Sequence, residues 1–279
     1  MVNVWAFWRL KPIQPLDSPK YTSKDVTVVL PTITVDSDNL RETLLGILKN
    51  DPFEILLVTI RANEQKAMRL AESLSPKKIR VLSVEKANKR RQMNMGIQHV
   101  TTEIIVFADD DVYWGDKVLL WMLAPFEDPQ MGGVVTNQRL RRERNPNLVN
   151  FFAAGYLLRR NFDCGSCTYM DGSMPCLSGR SVAYRASILK DLNFANGFAN
   201  EQWKTWWNNY RMNADDDNFL SRWMVSNGWK TWMQFHDECE VQTTLESNWK
   251  GYGKQCLRWS RSNWRSNIKS MFSEGQIWW

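Results

Sequence analysis

The stretch Glu103-Ile104-Ile105-Val106-Phe107-Ala108-Asp109-Asp110-Asp111 decides the fold of this chain, because an unbroken apolar run meets three carboxylates. A short apolar run with β-branched and aromatic members predicts a strand that is buried on both faces, as in parallel sheets. Ligands of open α/β sheets bind outside the carboxyl ends of the strands, which is where the aspartates follow. Residues two apart in an extended segment share a side, so we expect Asp109 and Asp111 to face one site.

The carboxylates of Asp109 and Asp111 are candidate ligands of a divalent metal ion. Mg²⁺ and Mn²⁺ prefer oxygen ligands, and one or two carboxylates with substrate phosphates suit them. A strand-ending turn, or a cap for the following helix, is the alternative that these residues leave open.

Strand and helix patterns alternate around this stretch and predict the fold class. We expect strands over 26–30, 53–60, 79–84, 104–108 and 133–136, and helices over 40–49, 63–73, 89–99, 117–126 and 147–162. This alternation predicts an α/β fold with a mostly parallel central sheet. Neither a Gly-x-Gly-x-x-Gly fingerprint nor a Walker loop is present, which excludes the usual dinucleotide-binding and P-loop classes.

The two ends of the chain differ from the predicted sheet region. Positions 1–19 are expected to be irregular, with an apolar segment at 4–8 that suits a membrane interface. We expect an N-terminal interfacial segment over 1–25, a single catalytic domain over 26–267 and a C-terminal tail over 268–279.

Composition and charge indicate the class of partner. The chain has 279 residues and a net charge of +6 at pH 7, which favours anionic partners such as a nucleotide or a membrane surface. Its 15 tryptophans suit sugar stacking and membrane interfaces. Only charge and tryptophan content favour a nucleic-acid binder, and we expect no nucleic acid as partner. No run reaches the ~20 apolar residues of a membrane-spanning helix, and no signal peptide is evident.

Five cysteines and two histidines offer little to a metal site of their own. Cys164-x-x-Cys167 with Cys176 nearby could indicate zinc, but no fourth ligand stands at a usual spacing, so we favour reduced thiols.

Four further segments combine charge with positions suited to ligands. Lys89 and Arg90 open a helix, where free N–H groups also attract anions. Ser178-Gly179-Arg180 joins a close-approach glycine to an anion-binding arginine. The cluster 215–217 offers a general base or a helix cap. Gln255 and Arg258 share a helix face beside Trp259, in a basic region that would also suit a membrane surface.

The basic run over 139–144 indicates a solvated or lipid-facing surface.

The ordered set of these motifs resembles the processive family 2 glycosyltransferases: the hyaluronan, chitin and cellulose synthases and the related fungal polysaccharide synthases. That family has Asp-x-Asp after a strand, a later Asp base and a Gln-x-x-Arg-Trp motif, in this order. Asp109 to Asp111, the 215–217 cluster and Gln255/Arg258/Trp259 match these motifs. The Lys-Arg-x-x-x-Asn, Ser-Gly-x-x-x-x-x-Arg and Asp-x-x-Leu-Ser segments match as well, and the resemblance covers about 26–267.

The resemblance implies a GT-A, Rossmann-like fold and a role for each matching residue. Asp217 would be the catalytic base, with Asp216 as the alternative, and Asp109 and Asp111 would hold Mg²⁺ or Mn²⁺. The residues implied at the nucleotide are Pro31, Thr32, Lys89, Arg90, Asp109 and Arg258. The residues implied at the acceptor are Ser178, Gly179, Arg180, Gln255 and Trp259.

The resemblance also implies an activity: inverting transfer of a sugar from a nucleotide-sugar donor, with UDP as the expected nucleotide, to a saccharide acceptor. It implies a membrane-associated protein with the catalytic domain on the cytosolic face. Two departures stand against this pattern, since Val58-Thr59-Ile60-Arg61 lacks the family's Asp at the second strand and the family's membrane helices are absent. Single-turnover transfer to a lipid-linked acceptor, and a non-catalytic membrane-docked protein, remain as alternatives.

Overall fold

The computed structural model describes residues 1–142, 144–204, 207–212 and 215–276, and its strands and helices alternate as the sequence predicts. The strands are β1 (Val26–Pro31), β2 (Glu54–Ile60), β3 (Ile79–Val84), β4 (Ile104–Ala108), β5 (Val112–Trp114), β6 (Met131–Thr136), β7 (Gln138–Leu140), β8 (Ser181–Arg185), β9 (Gln202–Lys204), β10 (Asn209–Arg211), β11 (Lys230–Gln234) and β12 (Val241–Thr243). The helices are α1 (Val2–Arg9), α2 (Asp38–Lys49), α3 (Glu64–Leu74), α4 (Lys89–His99), α5 (Val118–Leu123), α6 (Leu148–Asp171), α7 (Ala186–Leu189), α8 (Leu192–Asn200), α9 (Asp216–Ser226) and α10 (Trp249–Ile268).

The central sheet is mostly parallel, which confirms the predicted fold class. In the described residues it has seven strands in the order β11-β6-β8-β4-β1-β2-β3. β1 pairs in parallel with β2 and β4, and β6 pairs in parallel with β11. β8 lies antiparallel between β4 and β6. The carboxyl ends of β1 and β4 therefore share one edge of the sheet, where the Asp109–Asp111 segment follows β4.

Helices cover both faces of this sheet, so its central strands are apolar throughout. All residues of β1 and β4 are buried. Val28 and Leu30 of β1 pack on the face covered by α2 and α5, whereas Val29 packs on the opposite face with α4. The packing of α4 is close at Gly96, where a Cβ would lie 2.4 Å from a methyl carbon of Val29. A side chain there would displace the helix that carries Lys89.

A small three-stranded sheet extends the edge beyond the aspartates. β12 pairs antiparallel with β5 and parallel with β7, with Thr243 opposite Val112. This register sets Thr244, which follows β12, beside Asp111, which precedes β5. Residues distant in sequence thus reach the same edge.

The structure corrects the expected ends of several elements. The prediction that positions 1–19 are irregular is wrong for Val2–Arg9, where α1 forms and buries Ala6, and is confirmed over 10–19, which contain no helix or strand. Phe7 of α1 packs on Phe162 and Phe235, with ring centroids 5.3 and 5.0 Å away, so tertiary contacts stabilise a helix too short to form alone. The helix predicted over 147–162 continues to Asp171, and the one predicted over 117–126 ends at Leu123 before a 3₁₀ turn.

The chain ends are attached to the sheet domain by specific contacts. The backbone N–H of Ile13 donates to the Gln234 side chain, and the Gln234 amide donates back to the Ile13 carbonyl. After α10 a wider turn runs over Lys269–Ser273, and Gln276 donates to the carbonyl of Arg222. Within the part of the chain that the structure describes, no helix has the length and apolarity to cross a bilayer.

A buried ion cluster joins α4, α8, α9 and the segment after α10. Glu201 accepts from Arg90 at 2.7 Å, from Arg222 at 2.5 Å and from Lys269 at 2.5 Å. The side chains of Glu201 and Arg90 are only 4% and 2% exposed. Burial works against the charge of Glu201, but Arg222, Lys269 and Arg90 together lower its pKa. One carboxylate thus pairs with cations from three elements, and Glu274 also pairs with Arg222 at 3.2 Å and with Lys269 at 3.8 Å.

We expect Glu201→Gln to lower the free energy of unfolding by about 3–5 kcal/mol, the usual cost of breaking a buried ion pair and leaving its partner charge uncompensated. The comparison is Glu85→Gln, which removes the exposed pair with Arg61 and should cost about 1 kcal/mol or less. Urea unfolding of both variants gives the two values. If both variants lose the same small amount of unfolding free energy, Glu201 contributes no more to stability than a surface carboxylate does.

Candidate active site

A cavity of about 300 Å³ at the carboxyl end of β4 gathers most of the predicted site residues. Its walls come from the start of α4, one face of α6, the segment before β8, the start of α9 and the middle of α10. The predicted residues that line it are Lys89, Asp109, Ser178, Gly179, Arg180, Asp216, Asp217, Arg258 and Trp259. The fold therefore brings the separate motifs of the sequence into one space.

The Lys89 ammonium group connects the two acidic clusters. Its Nζ lies 2.8 Å from Oδ1 of Asp109 and 3.2 Å from Oδ2 of Asp216. Burial opposes the charge of Lys89, but Asp109 and Asp216 outweigh burial and raise its pKa. Gly179 leaves room for this contact, since a Cβ there would lie 3.3 Å from Lys89 Nζ. A fixed cation thus stands between the two groups of acids.

The second and third aspartates after β4 accept hydrogen bonds from different parts of the chain. Asp110 accepts from the Thr32 hydroxyl at 2.5 Å, while Asp111 accepts from the Thr244 hydroxyl at 3.3 Å. Burial and the charge of Asp109 raise the pKa of Asp111 to about 6, although Arg180 opposes this. Residues 110 and 111 lie in a turn, as in the alternative that the sequence left open, and not in the extended segment from which the alternation of Asp109 and Asp111 was predicted. The charge of Asp109 acts on the pKa of both Asp110 and Asp111.

Asp109 and Asp111 fit a divalent ion as part of its coordination. They supply hard carboxylate oxygens, and burial together with the charge of Asp109 raises the pKa of Asp111, so a nearby cation would favour its ionised form. Among the described residues, no three His, Cys, Asp or Glu side chains are grouped to hold a metal by themselves. A bound metal would accept further oxygens, such as those of substrate phosphates or water. Cys164, Cys167 and Cys176 are free thiols, in line with the preferred interpretation of the cysteines.

The second acidic cluster lies at the start of α9, and Asp215 occupies the N-cap position without capping the helix through its side chain. Asp215 has a left-handed backbone with φ 77°, and its side chain makes no capping bond. Its carboxylate instead accepts from Asn218 and from Ser262 of α10. Asp216 and Asp217 occupy the first turn of α9, where the helix dipole favours negative charge.

Asp217 has the electrostatics of a general base. It lies half-buried in the cavity wall, and burial together with Asp216 raises its pKa, while Arg160 and Lys89 act against the shift. A carboxyl group with a raised pKa accepts a proton more readily near neutral pH. Its backbone carbonyl accepts from the Ser221 hydroxyl at 2.7 Å, which fixes the first turn of the helix.

An aromatic and basic wall completes the cavity. The rings of Trp259 and Tyr156 stack with centroids 4.8 Å apart and an interplanar angle of 15°. The Arg180 guanidinium lies 5.5 Å from the Trp259 ring centroid and donates to Gln138 at 2.9 Å. Arg258 lines the cavity from an exposed position on α10. Flat rings beside arginines suit a sugar and an anionic group.

The structure does not bring five of the predicted residues to this cavity lining, which are Pro31, Thr32, Arg90, Asp111 and Gln255. Arg90 is buried and donates to Glu201, to Phe198 and to the Asp215 carbonyl, so it supports the site from below rather than lining it. Gln255 accepts from the Glu246 backbone at 3.4 Å. Pro31 ends β1 at the same sheet edge, and the hydroxyl of Thr32, which follows it, donates to Asp110.

Sequence motifs missed four polar cavity residues on α6. Tyr156 and Arg160 are four apart and share a helix face with Arg159 and Asp163, and all four line the cavity. Arg160 donates to the Cys176 carbonyl at 3.1 Å and acts on the pKa of Asp217. The polar stripe on an otherwise apolar helix was the available signal, but only the fold shows what it faces.

The matching family model is described as glycosyltransferase like family 2 and covers residues 23–262. A type 2 glycosyltransferase of Zymoseptoria tritici is 54% identical over 278 residues, which are 100% of this chain and 58% of the relative. The NDP-glycosyltransferase ltbB of Aspergillus luteorubrus is 33% identical over 278 residues, with 94% of this chain and 65% of the relative covered. This chain thus spans less than two thirds of each curated relative.

A solved structure supports the fold. The structure of GalNAc-T7 with UDP, GalNAc and Mn²⁺ has a TM-score of 0.54 at 12% identity, covering 79% of this chain and 43% of that one. At this identity the likeness concerns the GT-A fold alone. The family model, the curated relatives and the mostly parallel sheet agree, and this chain belongs to the family 2 glycosyltransferases.

Proposed function

We propose that the chain is the catalytic part of an inverting glycosyltransferase that moves a sugar from a UDP-sugar to a saccharide acceptor, as polysaccharide synthases do. The observation that carries the proposal is the single cavity lined by Asp109, Lys89, Asp217, Trp259 and Arg258. Carboxylates for a metal, cations for a diphosphate, a candidate base and a ring for sugar stacking lie together there.

The donor end of the site is assigned to Asp109, Asp111, Lys89 and Arg258. Asp109 and Asp111 would hold Mg²⁺ or Mn²⁺, which when bound neutralises charge on the diphosphate leaving group. Lys89 is already fixed by Asp109 and Asp216, so its ammonium group is oriented before a phosphate arrives. The GalNAc-T7 structure contains UDP and Mn²⁺ and supports this assignment by analogy of fold.

The transfer step is assigned to Asp217. As the acceptor oxygen bonds to the anomeric carbon of the donor sugar, its proton passes to the Asp217 carboxylate. The bond from that carbon to the diphosphate breaks, and its electron pair leaves with the phosphate oxygen. Attack from the face opposite the leaving group inverts the configuration. The raised pKa of Asp217 and the neighbouring Trp259–Tyr156 stack support a base beside an acceptor sugar.

We also propose that the protein associates with the cytosolic face of a membrane. Exposed tryptophans on α1 and α10 support this, with Trp8 72% and Trp264 69% exposed. Transfer to a lipid-linked acceptor is the second candidate function. Product size separates the two functions, because a ladder of oligosaccharides requires repeated transfer to a growing saccharide.

A panel of nucleotide sugars with Mn²⁺ tests the donor assignment. We expect nucleotide release with a UDP-sugar and a saccharide acceptor, and little release without the metal. Arg61, which stands where the family places an acidic residue, pairs with Glu85 at 2.6 Å, so the panel includes GDP- and ADP-sugars. Release from another nucleotide alone would overturn the UDP assignment. Failure to bind any nucleotide would favour the non-catalytic alternative.

The metal assignment predicts a pH effect at Asp111. A raised folded-state pKa means that the ionised carboxyl destabilises the metal-free fold, so stability falls as the pH rises from about 4 through about 6. Asp111→Asn should raise the melting temperature of the metal-free protein at pH 7 and abolish Mn²⁺ binding by calorimetry. Wild-type affinity for Mn²⁺ should weaken as the pH falls through about 6, because protons compete for this carboxylate.

The exposed Asp116→Asn is the matched control for Asp111, since it removes the same charge and should change neither property. Unaltered Mn²⁺ binding in a folded Asp111→Asn protein would sink the metal assignment.

Asp217→Asn should lower turnover by roughly 10²-fold or more, the scale of general-base catalysis, because the amide cannot accept the acceptor proton. Donor affinity should remain near that of wild type, since proton transfer belongs to the transition state. Asp216→Asn should reduce turnover less, and Asp171→Asn at the exposed end of α6 should have no effect. Turnover, nucleotide affinity and melting temperature are measured on all three. Near-normal turnover in both cluster variants would remove 215–217 from the chemistry.

A further inference from the structure

A second concavity, the α6 groove, lies on the side of α6 away from the catalytic cavity. It encloses about 860 Å³ between α6 and the segment over 138–142. Tyr156 and Arg160 of α6 line the catalytic cavity, whereas Phe151 and Leu158 line the groove. The volume is within the ~300–1,000 Å³ typical of ligand sites.

The α6 wall of the groove is an exposed apolar stripe. Leu148, Phe151 and Leu158 are 63%, 71% and 68% exposed and lie three and seven residues apart, so they share a helix face. Phe152 and Trp249 extend the apolar surface, with Phe151–Phe152 and Phe152–Trp249 ring centroids 5.7 and 5.8 Å apart. An apolar face of this extent indicates a binding surface rather than scattered exposed side chains.

The amide side chains of the groove are already paired within the protein. Asn161 accepts from the Gln138 backbone at 3.1 Å and donates to its carbonyl at 2.8 Å. Asn147 accepts from the Asn150 backbone at 3.1 Å and donates to the Ser247 carbonyl at 2.9 Å. Since these amides have their partners, the groove offers a sugar few hydrogen bonds, and an apolar occupant suits it better.

The rim of the groove is cationic. Arg139 of β7 lines it together with Arg141 and Arg142, which follow β7. The lining has one carboxylate, Glu240, which pairs with Arg139 at 3.3 Å. Arg141 pairs with Glu42 at 2.7 Å. Arg142 is exposed and has no salt bridge within the described residues, which do not include Glu143. An apolar floor with a cationic rim is complementary to an acyl chain that ends in an anionic headgroup.

We propose that the α6 groove binds an anionic phospholipid of a bilayer, with an acyl chain along Phe151 and Leu158 and the phosphate at the arginine rim. The proposal rests on the membrane association proposed above and adds a lipid site on α6 to the exposed tryptophans of α1 and α10. Because α6 is about 10–12 Å across, a lipid held there would set the catalytic cavity one helix width from the bilayer surface.

Vesicle co-sedimentation of the whole chain tests the proposal. We expect binding to phosphatidylcholine vesicles that contain phosphatidylserine and much weaker binding to phosphatidylcholine alone. Phe151→Asp and Leu158→Asp should each lower partitioning by roughly 10-fold or more, since a buried apolar contact becomes a charge. Arg142→Gln should lower it by roughly fivefold, the effect of one cation near an anionic surface. Phe151→Leu should keep most of the binding.

Leu192→Asp on α8, where Leu192 is 78% exposed, is the control for a charge on an unrelated apolar surface and should bind as wild type. If the wild-type protein binds neither type of vesicle, both the membrane association and the lipid site in the α6 groove are overturned. Wild-type binding by both aspartate variants overturns the groove alone. Absence of lipid binding, with self-association that Phe151→Asp abolishes, would make the groove an interface between copies. Equal binding to both vesicle types would refute the anionic headgroup.

Discussion

The ion cluster around Glu201 holds the catalytic region in one arrangement. Its buried carboxylate pairs with Arg90, Arg222 and Lys269, which come from α4, α9 and the segment after α10, and Glu274 also pairs with Arg222 and Lys269. Removing Glu201 would take the shared carboxylate from two buried arginines, so this one side chain ties the three elements together. Arg90 also donates to the carbonyl of Asp215 at 2.9 Å, which links the cluster to the start of α9. The position of the candidate base therefore depends on a residue outside the cavity.

The backbone conformation of Asp215 links the ion cluster to the positions of Asp216 and Asp217. A non-glycine residue in the left-handed region costs roughly 1–2 kcal/mol and requires support from its surroundings. Arg90 supports its carbonyl, and Asn218 and Ser262 support its carboxylate. The reversal at Asp215 then turns Asp216 and Asp217 into the cavity, where Lys89 reaches Asp216. The strained residue lies beside the proposed chemistry, as strained residues at functional sites often do.

The helix α6 separates two chemical environments. One face carries Tyr156, Arg159, Arg160 and Asp163 into the catalytic cavity, and another carries Leu148, Phe151 and Leu158 into the α6 groove. Gln138 touches both sides, because it accepts from Arg180 of the cavity and bonds through its backbone to Asn161 of the groove. A ligand in the groove would thus contact the same helix and strand that shape the acceptor end of the cavity.

The sequence by itself determined the sheet and the acidic ends of its strands. Continuous apolar runs such as 104–108 are typical of strands buried between two layers, and the three aspartates follow such a run directly, at the carboxyl end of the strand. The order of the motifs also identified nine residues of the cavity lining. These features depend on neighbouring residues or on the order of motifs along the chain, so the sequence predicts them without knowledge of the tertiary structure.

Only the tertiary structure decided the rest, because it depends on contacts between residues far apart in the chain. The place of Arg90 beside Lys89 predicted a nucleotide ligand. Adjacent residues on a helix point in different directions, and the Arg90 side chain points inward, where it donates to Glu201, 111 positions later in the chain. Tyr156 and Arg160 carried no motif and reach the cavity because α6 packs beside α10. The start of the chain read as irregular and is a helix, since Phe7 finds Phe162 and Phe235. Propensity describes a segment alone, whereas burial and charge pairing depend on which distant partners the fold supplies.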